Sequence, residues 1–155
     1  MFYSFMLKMA DWLIFPFLKL FNHLDIKGLE NIPQEGPVVL ASNHLSLWDP
    51  VYLFCCVRRR KLNFMAKAEL FKIPVIGWII SHVHAFPVQR NQIDRNALRK
   101  AAQVLANNEA LVLFPEGTRS KTGELLPFRD GAVLFAQRSQ APIVPIAIVN
   151  SAKSF

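Results

Sequence analysis

Cysteine is almost missing from this chain: Cys55 and Cys56 are the only two, and they are adjacent. Neighbouring thiols cannot staple distant segments or supply the four ligands of a structural zinc. A disulfide-bonded secreted scaffold and a zinc module are therefore excluded, and a reducing, cytosolic-side environment is expected. Acidic residues are also short, 11 against 18 Lys and Arg, which leaves a net charge of +7. Such a balance points to an anionic partner: nucleic acid, acidic lipid headgroups or a phosphorylated substrate. A long apolar run is lacking too. The longest charge-free stretch, Ile73 to Gln89, has 17 residues and contains Pro74, His82, His84 and Pro87, whereas a spanning helix needs about 20 mostly apolar residues. The apolar N-terminus is interrupted by Lys8, Asp11 and Lys19 and is followed by no small-residue cleavage pattern. It does not read as an export signal and is expected to stay on the mature protein. Repeats and low-complexity linkers are absent.

What the chain does have is apolar bulk: 52% hydrophobic residues, with 13 Phe and 3 Trp among 155 residues. A chain of that texture folds around a core or sits in lipid, and its length fits one domain of roughly 100–200 residues. On a helical wheel, Ser4, Lys8, Asp11, Lys19 and Asn22 fall in one narrow stripe, with Phe15 the only apolar residue inside it; Phe2, Phe5, Met6, Met9, Leu13 and Phe17 lie outside. A helix so narrowly polar is expected to lie in the headgroup boundary, broken or kinked at Pro16. The plainer alternative is a terminal helix packed on its own domain.

Past Asn22 the pattern changes to short apolar runs separated by turn residues. His23 to Leu29 reads as a short strand, residues 31–37 as a turn-rich loop, and Val38 to Ala41 as a buried strand. A helix is expected from Pro50 to Val57 and a strand from Lys61 to Ala66. Leu98, Ala101, Ala102 and Leu105 recur at helical spacing, and that helix should stop near Asn107-Asn108. Ala110 to Phe114 reads as a core strand, Gly131 to Arg138 as a helix, and Ile143 to Val149 as a strand interrupted by Pro145. The 17-residue run is either a membrane-contacting or acyl-holding segment, or a buried helix and strand. Strands alternating with helices indicate an α/β layered domain, whose chemistry gathers on loops at strand ends.

Two such loops stand out. Asn43-His-Leu-Ser-Leu-Trp-Asp-Pro50 follows a strand and places His44 and Asp49 five positions apart. On one regular helix they would diverge by about 140°, so they meet only across a turn. Asp49 before Pro50 supplies one as an N-cap, or else Ser46 caps and Asp49 completes the box. A carboxylate on one imidazole nitrogen fixes the tautomer and makes the other nitrogen a base for a hydroxyl proton. The second loop, Phe114-Pro-Glu-Gly-Thr-Arg-Ser120, carries a glycine, hydroxyls and a guanidinium. Those groups suit close backbone approach and phosphate binding, though a solvated turn would look similar residue by residue.

The first loop resembles the opening block of the lysophosphatidic acid acyltransferases, the 1-acylglycerol-3-phosphate acyltransferases of the glycerolipid acyltransferase superfamily. The second matches their third block letter for letter, a coincidence expected on the order of once in ten million such chains. Residues 67–78, running on to Phe86-Pro-Val-Gln-Arg90, are similar to the second block, Ala141 to Pro145 to the fourth, and Lys27 to Pro33 to the lead-in. The resemblance implies an α/β fold with a mixed, mostly parallel sheet flanked by helices. It implies His44 as catalytic base with Asp49 orienting it, and substrate binding by Lys67, Glu116, Gly117, Thr118 and Arg119, with Lys67 and Arg119 on the phosphate. Arg90 matches a position whose role stays open. No metal is implied, and His82 and His84, two apart, lack further ligands.

The reaction implied moves a fatty acyl group from acyl-CoA or acyl carrier protein to the free hydroxyl of lysophosphatidic acid, with the donor as a substrate and no other cofactor. An anionic membrane surface is the expected partner, the protein sitting peripherally or monotopically on the cytoplasmic face. Residues 1–22 then form a membrane-associating segment and 23–155 the acyltransferase domain. The run Arg58-Arg-Arg-Lys61 is expected to touch anionic lipid or donor phosphates, or else to be a solvated helix end. Two departures stand out. Phe128-Arg-Asp-Gly-Ala132 has Arg-Asp where relatives more often have Lys and a small residue, and the chain stops at Phe155 where relatives continue, so a C-terminal truncation is expected. Another lysophospholipid or glycerol-3-phosphate as acceptor, or a non-catalytic lipid-binding module, remain as alternatives. A nucleic-acid binder is disfavoured because the aromatics cluster in apolar runs instead of interleaving with Lys and Arg.

Overall fold

The structure, a computed structural model, describes residues 2–22, 24–89 and 93–153. Helices α1 (Phe2–Met9) and α2 (Phe15–Asn22) precede the sheet. Then alternate β1 (Val38–Ser42), α3 (Asp49–Cys56), β2 (Leu62–Lys67), α4 (Pro74–His82), β3 (Ala85–Val88), α5 (Arg95–Ala106), β4 (Ala110–Leu113), α6 (Gly131–Ser139) and β5 (Ile143–Ile146). The strands form one sheet in the order β3-β2-β4-β1-β5, and every pairing among them is parallel. Parallel neighbours cannot be joined by tight turns, so each connection crosses over through a helix.

Period-2 alternation divides the strand side chains between two cores. Val38, Leu40, Leu62, Phe64 and Val112 face α3 and Leu18 of α2, whereas Val39, Phe86, Leu111 and Leu113 face α5 and α6. The chain runs outward from β1 to β2 with α3 on the first face. It returns from β3 through β4 to β5 with α5 and α6 on the second, as right-handed crossovers require. Adjacent strands β1 and β4 therefore send their outgoing loops to opposite faces. That divergence opens a crevice at the carboxyl end of the sheet, the place where such sheets take their ligands.

Most of the expected elements are present within a residue or two, with exceptions. Residues 24–28 form no strand, and Leu29–Asn31 is a short 3-10 turn after Gly28 at φ 76°; His23 lies outside the described residues. The N-terminal segment does not break at Pro16. A π-helical turn, Ala10–Ile14, lies between α1 and α2 just ahead of it, and a widened turn accommodates the proline, which lacks an N–H and crowds the preceding carbonyls. Pro87 and Pro145 both sit in strands at opposite edges of the sheet, where a missing donor costs no ladder bond to an outer neighbour.

The 17-residue run forms α4 and β3, but the expected buried helix is not what folds: Ile73, just ahead of α4, and Val75, Ile76, Trp78 and Ile79 within it are exposed. Gly77 of α4 is buried against the Phe71 carbonyl with no room for a Cβ. The N-terminal helices do two things at once. Leu7, Met9, Ile14, Phe15 and Leu18 pack on the first core, while Phe5, Trp12, Leu13, Phe17, Leu20 and Phe21 stay exposed. Among the described residues no helix is long and apolar enough to cross a membrane.

The basic run is mostly committed to structure. Arg58 lies 4.0 Å over the Phe15 ring and donates from Nε to the Cys55 carbonyl at 2.7 Å, pinning α2 to α3. Arg60 is buried and donates to the carbonyls of Pro33, Gly36 and Asn108. Lys61 pairs with Glu109 at 2.7 Å. Arg60 is thereby a structural residue, three of its five N–H donors going to carbonyls, whereas Arg58 and Arg59 are exposed. A groove beside it, lined by Glu30, Cys56 and Arg58–Arg60, has a volume of about 390 Å³. It lies where the chain enters β2, at the opposite end of the sheet from the His44 loop. Cys56, at its wall, has its thiol pushed up to about 11 by burial, against a smaller pull from Arg58, so it is no nucleophile near neutrality.

Candidate active site

The loop leaving β1 folds back on itself around one carboxylate. Asp49, at the start of α3, is fully buried, and its Oδ2 accepts three hydrogen bonds: from the Leu45 and Ser46 backbone N–H groups at 2.7 Å each, and from His44 Nδ1 at 2.9 Å. The bond to Ser46 N–H is the Asp49 half of the capping box, while the Ser46 hydroxyl accepts from Trp48 N–H at 3.2 Å. Pro50 in the first turn makes the start of α3 a sharp corner, which is how residues five apart come face to face. Burial pushes the Asp49 carboxyl up, but the hydrogen bonds from His44 and from the Ser46 and Leu45 backbone outweigh it, so its pKa lies below the ordinary carboxylate value. Asp49 is thus an anion near neutrality, and an imidazole beside it holds its proton on Nδ1.

His44 is buried to 8% exposure, its ring stacked on Phe114 at 4.1 Å between centroids. With Nδ1 taken by Asp49, Nε2 is the nitrogen left for chemistry. The backbone around it is held by the loop after β4. The buried Glu116 carboxylate accepts His44 N–H at 2.7 Å on Oε1 and Leu126 N–H at 3.0 Å on Oε2, and Ser120 N–H donates to the His44 carbonyl at 2.9 Å. Asn43 does the same on the other flank, its side chain donating to and accepting from the Ile148 backbone at 2.8 and 2.7 Å and tying the exit of β5 to that of β1.

The residues singled out in the sequence are thus brought together unequally. His44 and Asp49 touch, and the loop that carries Glu116, Gly117, Thr118 and Arg119 is bonded to the His44 backbone at two points. Glu116 faces inward as the clamp between the loops, whereas Thr118 and Arg119 are exposed. Gly117 takes φ +70°, a turn conformation that calls for glycine, and the end of the Arg129 side chain lies over it. Lys67 ends β2 on the far side of β4, at the same carboxyl edge of the sheet, with Glu69 3.5 Å away. Arg90 lies outside the described residues. Sequence reasoning assigned no role to Phe114 or Asn43, although both lie inside the quoted blocks. An aromatic directly after a core strand and an Asn before the histidine were the available signals.

Known proteins resemble this chain over most of its length. Residues 23–149 match the family model described as Acyltransferase. The chain is 37% identical over 158 residues to the chloroplastic 1-acyl-sn-glycerol-3-phosphate acyltransferase BAT2 of Brassica napus, covering 98% of this chain and 44% of that one. It is 34% identical over 130 residues to the 1-acyl-sn-glycerol-3-phosphate acyltransferase of Bacillus subtilis, covering 84% and 64%. The crystal structure of the 1-acyl-sn-glycerophosphate (LPA) acyltransferase PlsC of Thermotoga maritima superposes with a TM-score of 0.77 at 30% identity, over 97% of this chain and 60% of that one. The chain spans about half the length of the curated relatives it matches most extensively.

Proposed function

Since this chain belongs to the Acyltransferase family, we propose that it transfers a fatty acyl group from a thioester donor, acyl-CoA or acyl carrier protein, to the free hydroxyl of lysophosphatidic acid, giving phosphatidic acid. The observation that carries the reading is the buried Asp49 carboxylate bonded to His44 Nδ1 at 2.9 Å, on a loop clamped to the Glu116–Ser120 turn across the point where β1 and β4 diverge. The named relatives are 1-acyl-sn-glycerol-3-phosphate acyltransferases, which fits that chemistry.

In this reading His44 Nε2 takes the hydroxyl proton as the acceptor oxygen attacks the thioester carbonyl. The Asp49 carboxylate stabilises the imidazolium that forms, and the tetrahedral intermediate collapses with cleavage of the C–S bond. The leaving thiolate recovers the proton from His44. The step balances with one imidazole as proton carrier and needs no covalent acyl-enzyme. Arg119 and Lys67 hold the acceptor phosphate, the planar guanidinium by paired hydrogen bonds and the ammonium as a point charge. Glu116 acts by keeping the His44 backbone against the phosphate loop. The exposed apolar side of α1 and α2, with Trp12 at 83% exposure, lies in the headgroup region of an anionic membrane on its cytoplasmic face, where the lipid acceptor is found.

The test is an assay of purified protein with a panel of donors and acceptors in anionic vesicles, following thiol release and phospholipid product together. Thiol release matched by phosphatidic acid is expected with lysophosphatidic acid as acceptor. Vesicle binding with no thiol release from any donor would make the chain a lipid-binding module and end the proposal.

A further inference from the structure

We propose that Arg129 is a second guanidinium ligand for the acceptor phosphate and biases the site toward a phosphate monoester over a phosphodiester. The inference deepens the acyltransferase reading and rests on it. Its ground is the way the chain returns after the Glu116–Ser120 turn. Arg129 N–H donates to the Pro115 carbonyl at 2.9 Å and Leu126 N–H to Glu116 Oε2 at 3.0 Å, so residues 126–129 are laid directly beside residues 115–117. The head of the Arg129 side chain follows: a Cβ on Gly117 would stand 2.8 Å from Arg129 Nε and 3.1 Å from Cζ. The guanidinium itself, and not only its aliphatic stem, therefore covers the turn that carries Arg119 two residues on.

Neither Arg119 nor Arg129 has a carboxylate partner among the described residues, and both are exposed. Arg60, by contrast, is buried and gives three of its five N–H donors to carbonyls. Two uncommitted cations on one turn repel each other until an anion lies between them. The only acid built into the turn, Glu116, is buried and engaged by two backbone N–H groups. A phosphate monoester near neutral pH carries between one and two negative charges and three terminal oxygens, enough to meet two guanidinium forks and Lys67. A phosphodiester offers one charge and two free oxygens, and so gains less from the second fork. At position 129 arginine brings a planar fork where lysine would bring a point charge.

Arg129→Gln and Arg129→Lys, measured beside the unaltered protein, test this with 1-acylglycerol-3-phosphate as the monoester acceptor and 1-acylglycerophosphoglycerol as the diester. Arg129→Gln is expected to raise the monoester KM about tenfold or more while leaving the thioester-donor KM in place, and to lower the monoester-to-diester ratio of kcat/KM about fivefold. Arg129→Lys should recover part of both, and inorganic phosphate should compete less well in Arg129→Gln. An unchanged acceptor KM and ratio, or an equal loss on both acceptors, would overturn the proposal. If the unaltered protein transfers to neither acceptor, the acyltransferase reading falls. Inorganic phosphate binding followed by calorimetry then decides Arg129 separately: weaker binding in Arg129→Gln supports it as an anion ligand, and equal binding removes it.

Discussion

The two ends of the sheet each bury charge, and they spend it differently. Where the chain enters the strands, Arg60 gives its donors to the carbonyls of Pro33, Gly36 and Asn108, and Glu109 takes Lys61 and Asn63 at 2.7 and 2.9 Å. Those bonds make a latch between the lead-in loop, β2 and β4. Where the chain leaves the strands, Asp49 and Glu116 are just as buried, but they accept only from backbone N–H groups and one histidine. That arrangement fixes the loops and leaves one imidazole nitrogen and the cations of the second loop uncommitted. The contrast teaches that burial of charge alone does not mark a reactive site; what matters is whether the network ends in an unspent group.

The sharpest way to break the comparison is His44→Ala. It should cut acyl transfer by about 10²–10⁴-fold, the usual worth of a positioned base, with circular dichroism and vesicle binding unchanged. Retained turnover would remove the imidazole from the reaction. Asp49→Asn comes next. Loss of the charged hydrogen bond to the imidazolium should cost about 1.5–3 kcal/mol, or roughly ten- to a hundredfold in kcat/KM, and a rate unchanged in steady-state assays would make Asp49 a plain helix-start residue.

A paired experiment sets one end of the sheet against the other. Glu116→Gln and Arg60→Met should each lower stability by about 1–3 kcal/mol, through orphaned backbone donors in the first and orphaned carbonyls in the second. Only Glu116→Gln should also lower activity per folded molecule, because it frees the His44 backbone. Urea melts combined with turnover corrected for folded fraction separate the two, and equal activity losses would dissolve the distinction between latch and site.

The smallest effect concerns acid. Because the Asp49 pKa is lowered in the folded protein, its ionisation adds stability that is fully present above the ordinary carboxylate pKa of about 3.9 and is lost as pH falls through the lower native value. Denaturant midpoints measured from pH 6 downward should fall less steeply in Asp49→Asn than in the unaltered protein, and identical slopes would show that Asp49 gains nothing from its three donors.

Much of this was legible residue by residue. The run 110–113 is apolar enough to be a central strand wherever it lies, and Asp49-Pro50 after a strand marks a helix start that turns the chain toward His44. The letter-for-letter match of residues 114–120 named the second loop. Residues 24–28 misled because the pattern of so short a span carries little energy. Within the basic run, charge in sequence says nothing of which carbonyls surround it: Arg60 looks like Arg59 until the loop of residues 33–36 and Asn108 close over it. Glu116 reads as a substrate residue from its block, yet its carboxylate is turned inward to two backbone N–H groups.

The sequence by itself determined the pieces: period-2 and period-3.6 patterns set strands and helices, and a turn at Asp49-Pro50 joined an acid to a histidine five residues away. Only the tertiary structure decided that β1 and β4 are neighbours, that their loops part to opposite faces, and that Glu116 reaches His44 across 72 positions of chain. The physical reason is range. Local patterns report on the few residues that share a turn or a strand, whereas strand order is settled by which apolar faces cover one another, and that information is spread over the whole chain.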